Sequence, residues 1–271
     1  MRFLILFSFV LFLCVSCSKF AKVQKSSDYN LKLKAANEYY DKKNYRFAQQ
    51  LYEELFPVLK GDPRFEDLYF RFAYCSYYQK DYLNAENLFK SFVEVFPNSK
   101  KSEEMEYMRA YCYYKQSPKI ELDQTNTTRA VGLMQTFINT HPGSEKNKEA
   151  QQIIESGRQK MEVKELKSAE LYYSIGQYKA AAIAFTSLIN NYPDSDKSDM
   201  YKLNAIKSYY EYATLSVDTK KEERFQQVIT ECNDFIDRFP ESTLLKQVQG
   251  YLNTSQNNIK ALKNEQVKTA A

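Results

Sequence analysis

Residues 169–193 read AELYYSIGQYKAAAIAFTSLINNYP. Apolar residues recur at helical spacing on both sides of Gly176, which interrupts the pattern, and Pro193 closes it. Proline has no N–H and its ring fixes φ, so a helix cannot run on through it. The stretch predicts two antiparallel helices joined by a short turn. Small residues stand where the helices must approach: Ala169 on the first and Ala181 on the second.

The same plan returns along the chain. The closing group is a ring, a proline, a small or polar residue and a serine. It occurs as Phe96-Pro97-Asn98-Ser99, His141-Pro142-Gly143-Ser144, Tyr192-Pro193-Asp194-Ser195 and Phe239-Pro240-Glu241-Ser242. Pro57, Pro97, Pro142, Pro193 and Pro240 each follow a Tyr-Tyr pair, at 39–40, 77–78, 113–114, 172–173 and 209–210. Five units are therefore predicted, opening on Ala36, Ala73, Ala110, Ala169 and Ala205. Their second helices carry Ala48 and Tyr52, Ala85 and Phe89, Ala130 and Phe137, Ala181 and Phe185, and Phe235. The interval from opening alanine to proline is 24 residues in units two and four, 32 in unit three and 35 in unit five. The longer units carry extra residues between their helices, SPKIELDQTN and TLSVDTKKEER. Each proline biases its predecessor away from helical angles. The serine that follows suits the N-cap of the next helix. One hairpin cannot bury its apolar face alone, so stacking is expected to supply the core.

This pattern resembles the tetratricopeptide repeat, a 34-residue helical hairpin with Ala, Tyr, Gly, Tyr, Ala, Phe and Pro at set places. The matching residues are Ala169, Tyr172, Gly176, Tyr178, Ala181, Phe185 and Pro193.

The N-terminus is of another kind. Met1-Arg2 is a short positive start, and Phe3 to Leu13 is apolar except for Ser8. The run is too short to span a bilayer, which needs roughly 20 residues. Residues 1–16 read as a secretory signal peptide. Its end, LCVSCSKF, resembles a bacterial lipoprotein signal, in which the cysteine thiol, here Cys17, takes a diacylglycerol and becomes the new N-terminus. Cys14 stands where leucine is usual, with Leu13 one place earlier. Ordinary signal-peptidase cleavage, leaving Cys17 an incidental thiol, is the alternative. Residues 17–30 read as a lipidated tether, 31–256 as the five-repeat domain and 257–271 as a polar C-terminal tail. The cysteines beyond Cys17 are three, and an odd number in a secreted chain does not make a disulfide framework. Cys75, Cys112 and Cys232 read as small buried hydrophobes.

Little chemistry is indicated. A net charge of +4 with no basic block argues against nucleic acid. His141, the one histidine, has no evident catalytic partner. No metal-ligand cluster or phosphate-cradling glycine loop occurs. The pairs Glu53-Glu54 and Glu103-Glu104 read as solvated helix faces. No catalytic residue, metal or cofactor is expected, and the protein reads as a non-enzyme.

A binding face is indicated instead. With each opening alanine counted as position eight, positions five, nine and twelve share one face of the first helix. They are Phe70, Tyr74 and Tyr77 in unit two and Tyr107, Tyr111 and Tyr114 in unit three. Position twelve is tyrosine in every unit: Tyr40, Tyr77, Tyr114, Tyr173 and Tyr209. The six aromatics form a candidate peptide- or partner-binding groove, at least partly exposed on the concave face. Packing within the superhelix is the competing account.

A lipoprotein signal, five repeats directly after a tether, and the insertion QSPKIELDQTNTTRAVGLMQTFINTHPGS in the third unit together resemble the BamD family. These are lipoproteins of the outer-membrane β-barrel assembly machine. Asp123-Gln124, Ala130 and Pro142-Gly143-Ser144 lie in the most family-like segment, and the resemblance covers roughly residues 17–255. It implies an all-α fold, a right-handed superhelical solenoid of five tetratricopeptide-type helical hairpins. It implies attachment at the periplasmic face of the outer membrane. It also implies as partners a BamA-like barrel-forming subunit, other assembly-complex subunits and unfolded outer-membrane proteins. The alternative is another periplasmic tetratricopeptide protein, such as the Tol-Pal-associated cell-division coordinator. That family usually has regular spacing and a preceding coiled coil, which this sequence lacks. A glycan-binding helical lipoprotein would commonly use tryptophan, which is absent.

Overall fold

The computed structural model describes the backbone of residues 19–270 and the side chains of residues 19–265. A helical turn over 19–24 precedes eleven helices. These are α1 (Tyr29–Asp41), α2 (Tyr45–Leu59), α3 (Phe65–Tyr78), α4 (Tyr82–Val95), α5 (Ser102–Lys115), α6 (Thr125–Thr140), α7 (Asn147–Ser174), α8 (Tyr178–Asn191), α9 (Ser198–Thr214), α10 (Asp218–Arg238) and α11 (Leu245–Ala270). No strand occurs among the described residues. Successive helices pair into five hairpins, α1–α2 through α9–α10, with α11 packed on the last. The chain divides into two compact units, residues 1–157 and 158–271, with the boundary inside α7.

The repeat frame locates the core. Ala36, Ala73, Ala110, Ala169 and Ala205 are all fully buried, as close helix contact requires. On the second helices, the residues twelve, eight and five places before the closing proline lie at i, i+4 and i+7, one helical face. These sets are Ala85, Phe89 and Phe92; Ala130, Met134 and Phe137; Ala181, Phe185 and Leu188; and Val228, Cys232 and Phe235, every one buried. The register in units three and five is thereby corrected. Phe137 and Phe235 correspond to Phe92 rather than to Phe89, and Met134 and Cys232 take the place of Phe89. Ala85→Leu and Ala181→Leu should each cost roughly 1–3 kcal/mol by overpacking, read as a lower melting temperature.

Other expectations are revised. Pro57 does not close unit one; it lies within the last turn of α2, which runs on to Leu59. Unit one closes instead at Lys60-Gly61, where Gly61 takes φ +91, an angle that side chains resist. The insertion of unit five is not a loop. Most of it lengthens α10, leaving only residues 215–217 between the helices. The insertion of unit three is a loop folded around the side chain of Gln124. Its Nε2 donates to the carbonyls of Lys119 (2.8 Å) and Leu122 (3.0 Å), and its Oε1 accepts from Thr127 (2.7 Å). Helix α11 continues through the stretch read as a polar tail, and Ile259 and Leu262 pack against the second unit's core. The stretch read as a tether is structured from Lys19 onward. Phe20 is only 8% exposed and stacks on Phe47 at 4.2 Å.

The closing serines are not N-caps. Ser99, Ser144, Ser195 and Ser242 donate their hydroxyls to Glu66 (2.7 Å), Glu103 (2.5 Å), Glu162 (2.5 Å) and Asp199 (2.6 Å). Each hydroxyl also accepts the backbone N–H two residues on. The serine thus ties the end of a hairpin to that hairpin's own first helix. The ring residue before each proline has φ between −125 and −130 and ψ between 56 and 63, outside the helical region that proline disfavours. At the first junction, Arg64 reaches Asn30 of α1 at 2.8 Å and takes over this link. Three of the four acidic residues read as solvated prove to be engaged: Glu54 pairs with buried Lys32 at 2.5 Å, Glu103 with Ser144, and Glu104 with Tyr74.

Candidate functional site

Helices α3 and α5 are the first helices of hairpins two and three, and they bring all six sequence-predicted aromatics into one run. Ring centroids lie 4.9 Å apart for Phe70–Tyr74, 6.1 Å for Tyr74–Tyr77 and 6.4 Å for Tyr77–Tyr111. Tyr111 continues to Tyr107 at 5.8 Å and to Tyr114 at 5.6 Å.

The run is not uniformly open. Tyr74 and Tyr107 are buried, at 7% and 3% exposure, which corrects the expectation of a groove lined by all six. The neighbouring helices cover them. The Tyr74 ring meets Phe89 of α4 at 5.3 Å, and its hydroxyl donates to Glu104 of α5. Burial and that bond to a carboxylate hold the Tyr74 phenol well above its ordinary pKa. The Tyr107 ring meets Phe137 of α6 at 5.5 Å. Burial, with Glu149 beside it, raises the Tyr107 phenol likewise. Phe70, Tyr77 and Tyr111 are half-buried, and Tyr114 is 37% exposed. The Tyr77 phenol is pushed up to about 12, by burial first and then by the neighbouring Tyr111 phenol.

One member was missed from the sequence. Tyr78, 45% exposed, stacks on Tyr45 at 4.5 Å and meets Tyr74 at 5.6 Å and Tyr77 at 5.5 Å. Tyr40, position twelve of unit one, lies 6.4 Å from Tyr78, so the surface begins in the first hairpin. The signal was the second tyrosine of the recurring pair. Cations stand over the rings: Arg71 over Tyr40 at 5.1 Å, Lys101 over Phe70 at 4.9 Å, Lys146 over Tyr107 at 4.7 Å and Lys115 over Tyr111 at 5.3 Å. The result is an aromatic floor with polar tyrosine ends, edged by cations of which Arg71 and Lys101 are paired with Asp41 and Asp67. Such a surface suits apolar and aromatic side chains of another polypeptide, with a carboxylate at the rim.

The second unit is sparser in aromatics there. Glu170 and Tyr173, positions nine and twelve of unit four, line a cleft with Phe185, Asn204 and Lys207. Elsewhere, His141 Nε2 lies 2.8 Å from Glu106 Oε2 with its ring on Phe137 at 4.9 Å, so it is a junction ring held by one carboxylate. Cys75, Cys112 and Cys232 are buried free thiols, each pushed up to about 12 by burial. Among the described residues, no group of three or more His, Cys, Asp or Glu is arranged to hold a metal, and no helix is long and apolar enough to cross a membrane. Cys17 lies outside the described residues.

Stacked helical hairpins presenting an aromatic face define a helical-repeat protein. The chain belongs to the YfiO family of outer membrane lipoproteins, whose family model matches residues 27–224. That span takes in the first four hairpins and ends inside α10. No curated protein matches the chain. Among solved structures it is similar to the TPR2AB domain of yeast Sti1 in its pHSP90 complex, at 11% identity and a TM-score of 0.38, covering 85% of this chain and 99% of that one.

Proposed function

We propose that this protein is a lipid-anchored periplasmic scaffold of the outer-membrane β-barrel assembly machinery. It holds a BamA-like barrel-forming subunit and receives unfolded barrel-protein segments. The observation that carries this reading is membership of an outer membrane lipoprotein family over residues 27–224. The aromatic surface of the first unit supplies the means. Barrel strands alternate apolar and polar residues over about ten positions, so an extended segment presents a row of apolar side chains on one side. Half-buried rings accept such a row without being reordered, and Lys115 and Lys146 at the edge of the surface favour a chain ending in a carboxylate. Acylated Cys17 holds the scaffold at the membrane into which the barrels are inserted.

Two measurements test it. Purified from detergent-solubilised outer membranes, the protein should bring the barrel-forming subunit with it. Recovery of Tol-Pal components instead would favour a cell-division coordinator. Tyr78→Ala and Tyr114→Ala should each weaken binding of a barrel-derived C-terminal peptide by about 1 kcal/mol or more while leaving the melting temperature nearly unchanged. Tyr74→Ala and Tyr107→Ala should lower the melting temperature first. Unaltered peptide binding in both surface variants sinks the aromatic surface as the receiving site.

A further inference from the structure

The start of the described chain is folded onto one particular edge of the first hairpin. Phe20 stacks on Phe47 at 4.2 Å and meets Tyr39 edge-on at 5.8 Å. Tyr39 lies directly under the α1–α2 turn, its carbonyl accepting the Asn44 N–H at 2.8 Å. Further along, Gln24 donates to Glu54 at 3.1 Å. The 19–24 turn therefore runs along α2 with its beginning at the hairpin's turn edge. That edge is basic. Lys19 and Lys22 stand exposed beside Phe20, and Lys42, Lys43 and Arg46 are exposed in and after the turn. Two carboxylates face them. Glu38 lies 3.9 Å from Lys42, and Asp41 is held by Arg71 at 3.0 Å. The cations remain in excess.

Cys17 precedes Phe20 by three residues, which reach at most about 11 Å. With so short a lead, a lipid on Cys17 fixes which edge of the protein meets the bilayer. We propose that the α1–α2 turn edge rests on the membrane surface, with Lys19, Lys22, Lys42, Lys43 and Arg46 against anionic phospholipid headgroups. This rests on the lipid-anchored reading of Cys17. The occupant is lipid because the patch lies within the anchor's reach and has the opposite charge to such a surface. Cations near an anionic leaflet are attracted within a Debye length.

The full chain, lipidated and placed in vesicles of phosphatidylethanolamine with phosphatidylglycerol, provides the test. An environment-sensitive dye is attached at Lys42→Cys or, at the far end of the same hairpin, at Lys60→Cys. The three native thiols of the folded part are buried and stay unlabelled. Headgroup-bound quencher should quench the dye at residue 42 at least twofold more than at 60. Lys22→Glu with Arg46→Glu, or vesicles of neutral lipid alone, should reduce that difference. Equal quenching at both positions in an anchored protein overturns the proposal alone, and leaves the patch to an acidic protein surface. A chain that carries no lipid at Cys17 and does not float with the vesicles overturns the proposal together with the anchor on which it rests.

Discussion

Phe92→Ala should destabilise the first unit by about 3–5 kcal/mol, the range for emptying a buried phenylalanine site. Phe92 is fully buried, and its ring lies 5.0 Å from Phe96 and 5.8 Å from Tyr69. It stands five places before the closing proline, so the void would open between the two helices of hairpin two, near its proline end. Phe92→Leu should lose much less, because leucine occupies the equivalent place at Leu188, also fully buried. Urea unfolding followed by a probe in the first unit should show a lower midpoint at similar slope for the alanine variant. A loss below about 1 kcal/mol would overturn the register that pairs Phe92 with Phe137, Leu188 and Phe235.

The second large effect concerns the anchor. Cys17→Ala should leave the precursor without its diacylglycerol, and the protein should move from the outer-membrane fraction to the soluble periplasmic one. One acyl chain gives only marginal membrane binding, whereas several hold firmly, so the loss should be nearly complete. The basic edge alone is too weak a substitute, since its attraction is screened within about 8 Å at physiological salt. Metabolic labelling with a radioactive fatty acid gives the direct readout. Label persisting in the variant rules Cys17 out as the modified residue.

The hairpins were legible because their evidence is local. Period-3.6 apolar spacing, alanines at the contacts and prolines at the ends all lie within a few residues of the elements they specify. Proline taken alone misled at Pro57. In the last turn of α2 a missing N–H removes one bond without ending the helix, and no ring-Pro-x-Ser group surrounds it. The aromatic surface was half legible. Spacing put Tyr74 and Tyr107 on the same face as Tyr77 and Tyr114, but burial depends on the helices packed against that face. Glu104, Phe89 and Phe137 reach them across gaps of 15 to 30 residues in sequence, a distance that periodicity does not carry. Tyr78 and Tyr45 escaped for the same reason, since their stacking joins two hairpins. The serine–carboxylate links were visible only as a recurring serine. Their acceptors lie 33 to 43 residues earlier.

Those links divide hairpins two to five into an edge that is conserved in shape within the molecule and one that is not. At the proline end, four junctions repeat the same backbone angles and the same hydroxyl-to-carboxylate closure. At the opposite end the connections range from a three-residue turn, to a loop folded around Gln124, to a helix extended by about two turns. Growth at that free end leaves the stacking of the next hairpin untouched, because the spacing to its neighbour is set elsewhere. Descendants of such a chain can therefore acquire or exchange partners by rewriting one end of a hairpin, while its other end stays closed in the same way.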